Sequence, residues 1–262
     1  FVEAFCAWPL EGLMSQARSS NIEQVDSVLR RGPASVGDFA TLLSPAAATR
    51  LEDLCRRSQA LTRQRFGKTI RLFAPLYLSN ECINNCAYCG FSRDNPILRV
   101  TLAEQEVKRE AQALAGHGFR NILLVAGEHP KFVSNGYMAG CVRTLHSFIP
   151  SLSLEVGPME TADYYPLVQA GAEGLVVYQE TYDRNVYAQM HTLGPKRDFD
   201  WRLATPERAY LAGFRRLGIG RMSSRLGSSR RSIAGLGNAT RWMTSSSVTS
   251  APALSLSEFV RR

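Results

Sequence analysis

Pro75-Leu76-Tyr77-Leu78-Ser79-Asn80-Glu81-Cys82-Ile83-Asn84-Asn85-Cys86-Ala87-Tyr88-Cys89 is an apolar, β-prone run that leads directly into three cysteines. The C-x3-C-x2-C spacing presents three thiolates at one turn of chain. That suits a cubane iron–sulfur cluster with one iron left without a protein ligand. Structural zinc takes four protein ligands, and a closed four-cysteine cluster site takes a fourth Cys; neither is supplied nearby. Cys141 is a weak candidate for a fourth thiolate, so an electron-transfer cluster stays a competing reading. An open iron is where a small molecule can bind the metal, and radical chemistry with S-adenosylmethionine is a known use of such a cluster.

Outward from this stretch, short β-prone runs alternate with helical segments. The runs are Ile70–Leu78, Asn121–Ala126, Leu152–Val156, Gly174–Tyr178 and Leu217–Gly220. Thr101-x-x-Glu104 reads as a capping box before a helix closed by Gly116 and Gly118. Thr205-Pro206 reads as a capping Thr ahead of a Pro in the first turn. Strands alternating with helices imply a parallel sheet with crossovers, either open or a (β/α)8 barrel. Residues 1–66 read instead as a helical arm, with helices near Asn21–Arg31, Val36–Leu43 and Ala47–Arg65. In the last, Leu51, Leu54, Cys55, Ser58 and Leu61 keep helical spacing and Gly67 stops it.

Three polar signals fall at strand ends, where parallel α/β folds gather ligand chemistry. The triplet follows the first strand, Gly127-Glu128 the second and Gln179-Glu180 the fourth. A Gly lets backbone approach a ligand closely, and a carboxylate beside it can receive an ammonium; a plain turn is the alternative. Glu180 and Gln179 can take the two hydroxyls of a ribose, the alternative being a solvated strand end. Arg202 can pair with a carboxylate by two parallel hydrogen bonds, although most Arg residues are simply solvated. The histidines 117, 129, 146 and 191 show no ligand spacing, and only His129, next to Glu128, is placed to reach the site.

The 262 residues are 45% hydrophobic and 21% charged, the balance of a soluble enzyme with one sizeable core. No apolar run reaches the ~18 residues of a membrane helix, and no basic leader opens the chain, so a cytoplasmic location is expected. Cys6, Cys55 and Cys141 are isolated and read as ordinary buried thiols. The net charge of +8 is concentrated in residues 221–262, which hold seven Arg, no Lys and one acid. A basic tail is not a patch on a folded surface, so nucleic-acid binding is not expected. The same segment carries eleven Ser without apolar period and reads as a disordered or frame-shifted tail. The opening Phe1 in place of Met points to an incomplete amino end.

With Tyr88 before the third cysteine and Gly90-Phe91 after it, the triplet resembles that of the radical SAM superfamily. More closely, the chain resembles the 2-iminoacetate synthases, the tyrosine lyases of thiamine thiazole biosynthesis. The likeness runs over residues 40–220, through Leu42-Leu43-Ser44-Pro45, Leu61-Thr62-Arg63-Gln64-Arg65-Phe66-Gly67, Leu124-Val125-Ala126-Gly127-Glu128-His129, Tyr178-Gln179-Glu180-Thr181-Tyr182 and Asp198-Phe199 to Arg202-Leu203. It implies that Cys82, Cys86 and Cys89 hold a [4Fe–4S] cluster. It implies that Tyr88, Gly127, Glu128, Gln179, Glu180 and Arg202 surround S-adenosylmethionine. It further implies a 5′-deoxyadenosyl radical that cleaves tyrosine to 2-iminoacetate (dehydroglycine) and p-cresol, a low-potential flavodoxin-like electron donor and a thiazole synthase partner. The expected fold is a TIM-type barrel of about five βα units (67–220), lacking its later strands. An inactive product of a damaged gene and a non-catalytic iron–sulfur protein are the competing functions.

Overall fold

A computed structural model describes residues 2–220, and the tail expectation for 221–262 lies outside the described residues. The chain divides into two compact units, one ending at Arg71 and one beginning at Leu72.

The first unit is helical: α1 (Val2–Cys6), α2 (Leu10–Ser19), α3 (Ile22–Arg31), α4 (Val36–Leu42), a 3-10 turn at Pro45–Arg50 and α5 (Leu51–Phe66). Local chemistry sets the starts of α3 and α4. Asn21 and Gln24 form a reciprocal capping box, and Ser35 and Asp38 form a second one. The helix expected over Ala47–Arg65 is split, because Ser44 caps a 3-10 turn that opens on Pro45 before the α-helix begins at Leu51. Gly67, at φ +66, ends it as expected. Helical spacing here identified a helix but not a buried face: α5 has no buried residue, and Leu51 and Leu61 are exposed.

The second unit carries β1 (Ala74–Ser79), β2 (Asn85–Cys86), α6 (Glu104–Gly116), β3 (Asn121–Ala126), α7 (Asn135–His146), β4 (Ser151–Glu155), α8 (Thr161–Gln169) and β5 (Ala172–Val176). There follow α9 (Arg184–Met190), β6 (His191–Leu193), a 3-10 turn (Pro195–Arg197), α10 (Phe199–Leu203), α11 (Thr205–Leu211) and β7 (Arg216–Gly218). Five strands form one parallel sheet in the order β1-β3-β4-β5-β7. Among the described residues the sheet stays open, with β1 and β7 at its edges. β1 begins four residues later than the sequence reading, because its pairing with β3 starts at Ala74 opposite Ile122.

One face of the sheet meets the helices. Leu76 and Leu78 of β1, Ile122 and Leu124 of β3, and Leu152 and Leu154 of β4 share a core with Val107, Val142, Leu145, Tyr164 and Leu167. Each such side chain contributes about 1.5–3 kcal/mol by leaving water. The alternate residues point the other way; Tyr77, between Leu76 and Leu78, packs edge-on against Phe91 at 6.1 Å. Two helix starts differ from expectation. Thr101 bonds the Ser79 hydroxyl at 2.7 Å and forms a bridge with that strand end. The start of α6 therefore falls to Ala103, whose N–H donates to Glu106 at 2.8 Å. Thr205 lies inside α11 rather than capping it, its hydroxyl donating to Trp201 O. Among the described residues no helix is long and apolar enough to cross a membrane.

Candidate active site

The triplet loop leaves the carboxyl end of β1 and is fixed on three sides. Toward β3, Ile83 N donates to Glu128 O at 2.9 Å and Gly127 N donates to Ser79 O at 3.0 Å. A Cβ on Gly127 would lie 2.2 Å from Glu81 O and 3.2 Å from Cys82 Cβ, so only glycine lets the two strand ends cross. On the outer side, Arg99 brackets the loop through carbonyls, reaching Asn80 O (2.7 Å), Phe91 O (2.9 Å) and Ser92 O (2.7 Å). Ser92 donates back to Cys86 O at 2.6 Å and receives Cys86 N at 2.8 Å.

The third side is a segment in which the sequence reading assigned a role to Arg202 alone. Residues 184–203, between β5 and β7, fold over the triplet: β6 pairs antiparallel with β2, and Ala87 N donates to Met190 O at 2.9 Å. Gly194, at φ +85, sits where a Cβ would strike Asn84 Oδ1 at 2.4 Å. Asn84 joins the parts. Its Nδ2 donates to Glu128 Oε2 at 2.8 Å, and its Oδ1 accepts Lys196 N at 2.8 Å.

Each expected site residue has a definite place. Cys86 is buried and Cys82 and Cys89 are half-buried. Among the described residues no group of three His, Cys, Asp or Glu side chains is drawn together as metal ligands would be. The donor set still suits an iron–sulfur cluster, being three soft thiols on one braced loop with a cation nearby. Burial pushes the Cys86 thiol up to about 12, and Lys196 and Arg202 act against that by favouring the thiolate. Glu128 faces Asn84, and Gly157 at the end of β4 leaves it room, since a Cβ there would meet Glu128 at 2.7 Å. Gln179 is buried and its amide donates to Phe199 O at 3.2 Å. Glu180 holds φ +70, a left-handed backbone that is uncommon outside glycine, and binds Lys196 Nζ at 2.9 Å. Arg202 is buried to 8% exposure and donates Nε to Tyr178 O at 2.7 Å.

Three groups escaped the sequence reading. His191, not His129, is the histidine at the triplet, with Tyr88 OH 2.7 Å from its Nε2. Lys196 lies 5.5 Å from the centre of the Tyr88 ring. Glu155 ends β4, and burial, then the Glu180 charge, push its carboxyl upward. None belongs to a spaced motif: Glu155 is the last residue of β4, His191 the first of β6, and Lys196 follows Gly194-Pro195. Cys6 and Cys55 are exposed rather than buried, Cys55 on a helix with no buried residue; Cys141 is buried as expected.

No protein-family model matches the chain. It is 46% identical over 196 residues to the 2-iminoacetate synthase of Salmonella typhimurium strain LT2, an alignment covering 75% of this chain and 52% of that protein. The chain thus spans about half the length of the curated relatives it matches. Among solved structures it superposes on HydG, a maturase of the [FeFe]-hydrogenase, with a TM-score of 0.77 and 27% identity, covering 81% of this chain and 49% of that one. Methylornithine synthase (PylB) superposes with a TM-score of 0.61 and 28% identity, covering 75% and 58%. The resemblance to 2-iminoacetate synthase read from the motifs is borne out, as is a mixed α/β fold built on a parallel sheet.

Proposed function

We propose that this chain is the cluster-bearing part of a radical SAM lyase acting on tyrosine to give 2-iminoacetate and p-cresol for thiazole formation. The observation that carries this reading is Asn84. From between the first and second cysteines it bonds both Glu128 of the second strand end and Lys196 beside Glu180. Hydrogen bonds and one ion pair thereby link the triplet loop with Glu128 and, through Lys196, with Glu180, which supports this reading. The relatives' name supplies the product, 2-iminoacetate, and the family resemblance implies tyrosine as its source.

Cys82, Cys86 and Cys89 would hold a [4Fe–4S] cluster. When bound, that cluster and S-adenosylmethionine would supply one-electron cleavage of a carbon–sulfur bond and the hydrogen abstraction that follows. The residues of this chain bind and orient. Arg202 keeps Nε on Tyr178 O, which leaves its outer edge to meet a carboxylate. Carbonyls and the carboxylate around Gly127-Glu128 receive an ammonium, and Glu180 accepts from sugar hydroxyls. Tyr88 gives an apolar wall, while residues 184–203 keep water from the triplet. The electron donor belongs to the low-potential, flavodoxin-like class and the consumer of the product is a thiazole synthase.

The test is anaerobic reconstitution of the 262-residue chain with iron and sulfide, followed by electron paramagnetic resonance of the reduced cluster. A signal that shifts on adding S-adenosylmethionine is expected. A stable cluster indifferent to S-adenosylmethionine would favour an electron-transfer protein. Replacing Cys82, Cys86 or Cys89 with Ala should abolish cluster incorporation, and a variant lacking all three that still binds iron and sulfide stoichiometrically would refute the ligand assignment.

A further inference from the structure

The amide of Asn84 makes three contacts, and bracing explains only two of them. The residue is 2% exposed. Its Oδ1 accepts Lys196 N at 2.8 Å, and its Nδ2 donates to Glu128 Oε2 at 2.8 Å. These two bonds decide which end of the amide is which. A backbone N–H can only donate and a carboxylate oxygen accepts, so the reversed amide would set donor against donor and acceptor against acceptor. Gly194 closes the remaining side, where a Cβ would lie 2.9 Å from Asn84 Cα. The side chain is thus held in one orientation. A primary amide has two N–H groups. One serves Glu128, which leaves the other for the Cys82 sulfur, 3.7 Å from Nδ2 and within hydrogen-bond reach of that larger atom. The other asparagine amides around the triplet donate to oxygen: Asn80 to Leu98 O, Asn85 to the Asp94 carboxylate, and Asn95 to the carbonyls of Cys89 and Gly90. A brace joining the triplet loop to β3 and to residues 184–203 needs the bonds to Glu128 and Lys196. It does not need the one to sulfur.

We propose that Asn84 is a positioning residue that raises the reduction potential of the cluster through an N–H···S bond to Cys82. The inference rests on the reading of Cys82, Cys86 and Cys89 as cluster ligands and extends it to what a neighbouring side chain does to the metal group. Reduction adds one negative charge, and the ligand sulfurs carry part of it. A donor aimed at a ligand sulfur therefore stabilises the reduced form more than the oxidised one, and hydrogen bonds to the sulfurs are a general means of setting such potentials. The surroundings act the other way. Cys86 is buried and a carboxylate stands at Glu128, and both disfavour added negative charge. Asn84 offsets them from within the loop. Lys196 N on Oδ1 polarises the amide and strengthens its donors.

The test is an anaerobic redox titration of the reconstituted chain and its variants, read by electron paramagnetic resonance. Asn84→Ala should make reduction about threefold to tenfold less favourable, tenfold being about 59 mV for a one-electron couple. Asn84→Asp keeps an oxygen for Lys196 N but removes the donor and adds charge, so its potential should fall at least as far. A native potential in Asn84→Ala, with a lowered unfolding midpoint, would make Asn84 a brace only and overturn the proposal. A second measurement needs no variant. With ¹⁵N in the asparagine side-chain amides, pulsed electron paramagnetic resonance of the reduced native cluster should show a ¹⁵N coupling. Its absence would overturn the proposal even where Asn84→Ala fails to fold. A native chain that holds no cluster, or that keeps one after all three cysteines are replaced, would instead overturn the ligand reading on which the inference rests.

Discussion

The phenol of Tyr88 and Nε2 of His191 lie 2.7 Å apart, joining the residue between the second and third cysteines to the first residue of β6. Nδ1 of the same ring lies 2.8 Å from Tyr187 O, a carbonyl that can only accept. The network therefore assigns the proton to Nδ1, and Nε2 accepts from the phenol. Burial, then the Lys196 charge, hold His191 down at about 4, so the ring is neutral near pH 7.

The first prediction follows from that bond. Tyr88→Phe leaves the His191 nitrogen, in a side chain 1% exposed, without its donor. It should cost about 1–3 kcal/mol, the usual penalty for a buried polar group stripped of its partner. His191→Phe should cost a similar amount, and the double substitution less than the two singles combined. Urea unfolding of the four proteins measures this. Additive single costs would show that the bond does not form.

Gly127→Ala tests the crossing of the first two strand ends. The added methyl would sit 2.2 Å from Glu81 O, which is backbone and cannot swing aside. The triplet loop must then shift, at a cost of about 1–3 kcal/mol for an overpacked site. Reconstituted iron and sulfide per chain should fall along with the unfolding midpoint. Gly90, whose Cβ would meet nothing within 4 Å, is the matching control for stability.

These contacts also explain what was legible in the sequence. The strands could be read because Asn121–Ala126 is buried over four consecutive residues, which demands an unbroken apolar run. The triplet could be read because its thiols are neighbours in the chain. His191 and Lys196 could not, since they meet Tyr88 and Asn84 across 103 and 112 residues and carry no local pattern. Thr101 misled for the opposite reason. Its spacing to Glu104 is that of a capping box, but the Ser79 hydroxyl at the strand end claims it. Local propensity yields where a long-range partner is better. On α5 the helical period was real although no residue of the helix is buried, because period reports conformation rather than what covers a face.

Thiol labelling separates the cysteines outside the triplet. Burial pushes Cys141 up to about 11, and its side chain is 0% exposed. At pH 8 only about a thousandth of it would be thiolate, the reactive form. Cys6 and Cys55 are exposed. Iodoacetamide at pH 8 should label both within minutes and reach Cys141 only in urea, as read by peptide mass spectrometry. Labelling of Cys141 in the folded chain at the rate of Cys55 would show that α7 opens readily.

Arg202→Lys separates bracing from binding. The guanidinium donates Nε to Tyr178 O at 2.7 Å and is almost wholly withdrawn from water. A planar fork can hold that carbonyl and still present a second edge to a carboxylate, whereas an ammonium meets the same demands as a point charge on a flexible stem. If the outer edge receives the methionyl carboxylate of S-adenosylmethionine, the substitution should weaken that ligand by about tenfold to a hundredfold, the range for a charge-assisted bond. Cluster content should be unchanged, because Arg202 makes no hydrogen bond to the triplet loop among the described residues. Equilibrium dialysis with labelled S-adenosylmethionine reads the first quantity and iron analysis the second. Unaltered affinity with a lowered unfolding midpoint would make Arg202 a brace for Tyr178 and remove it from the ligand site.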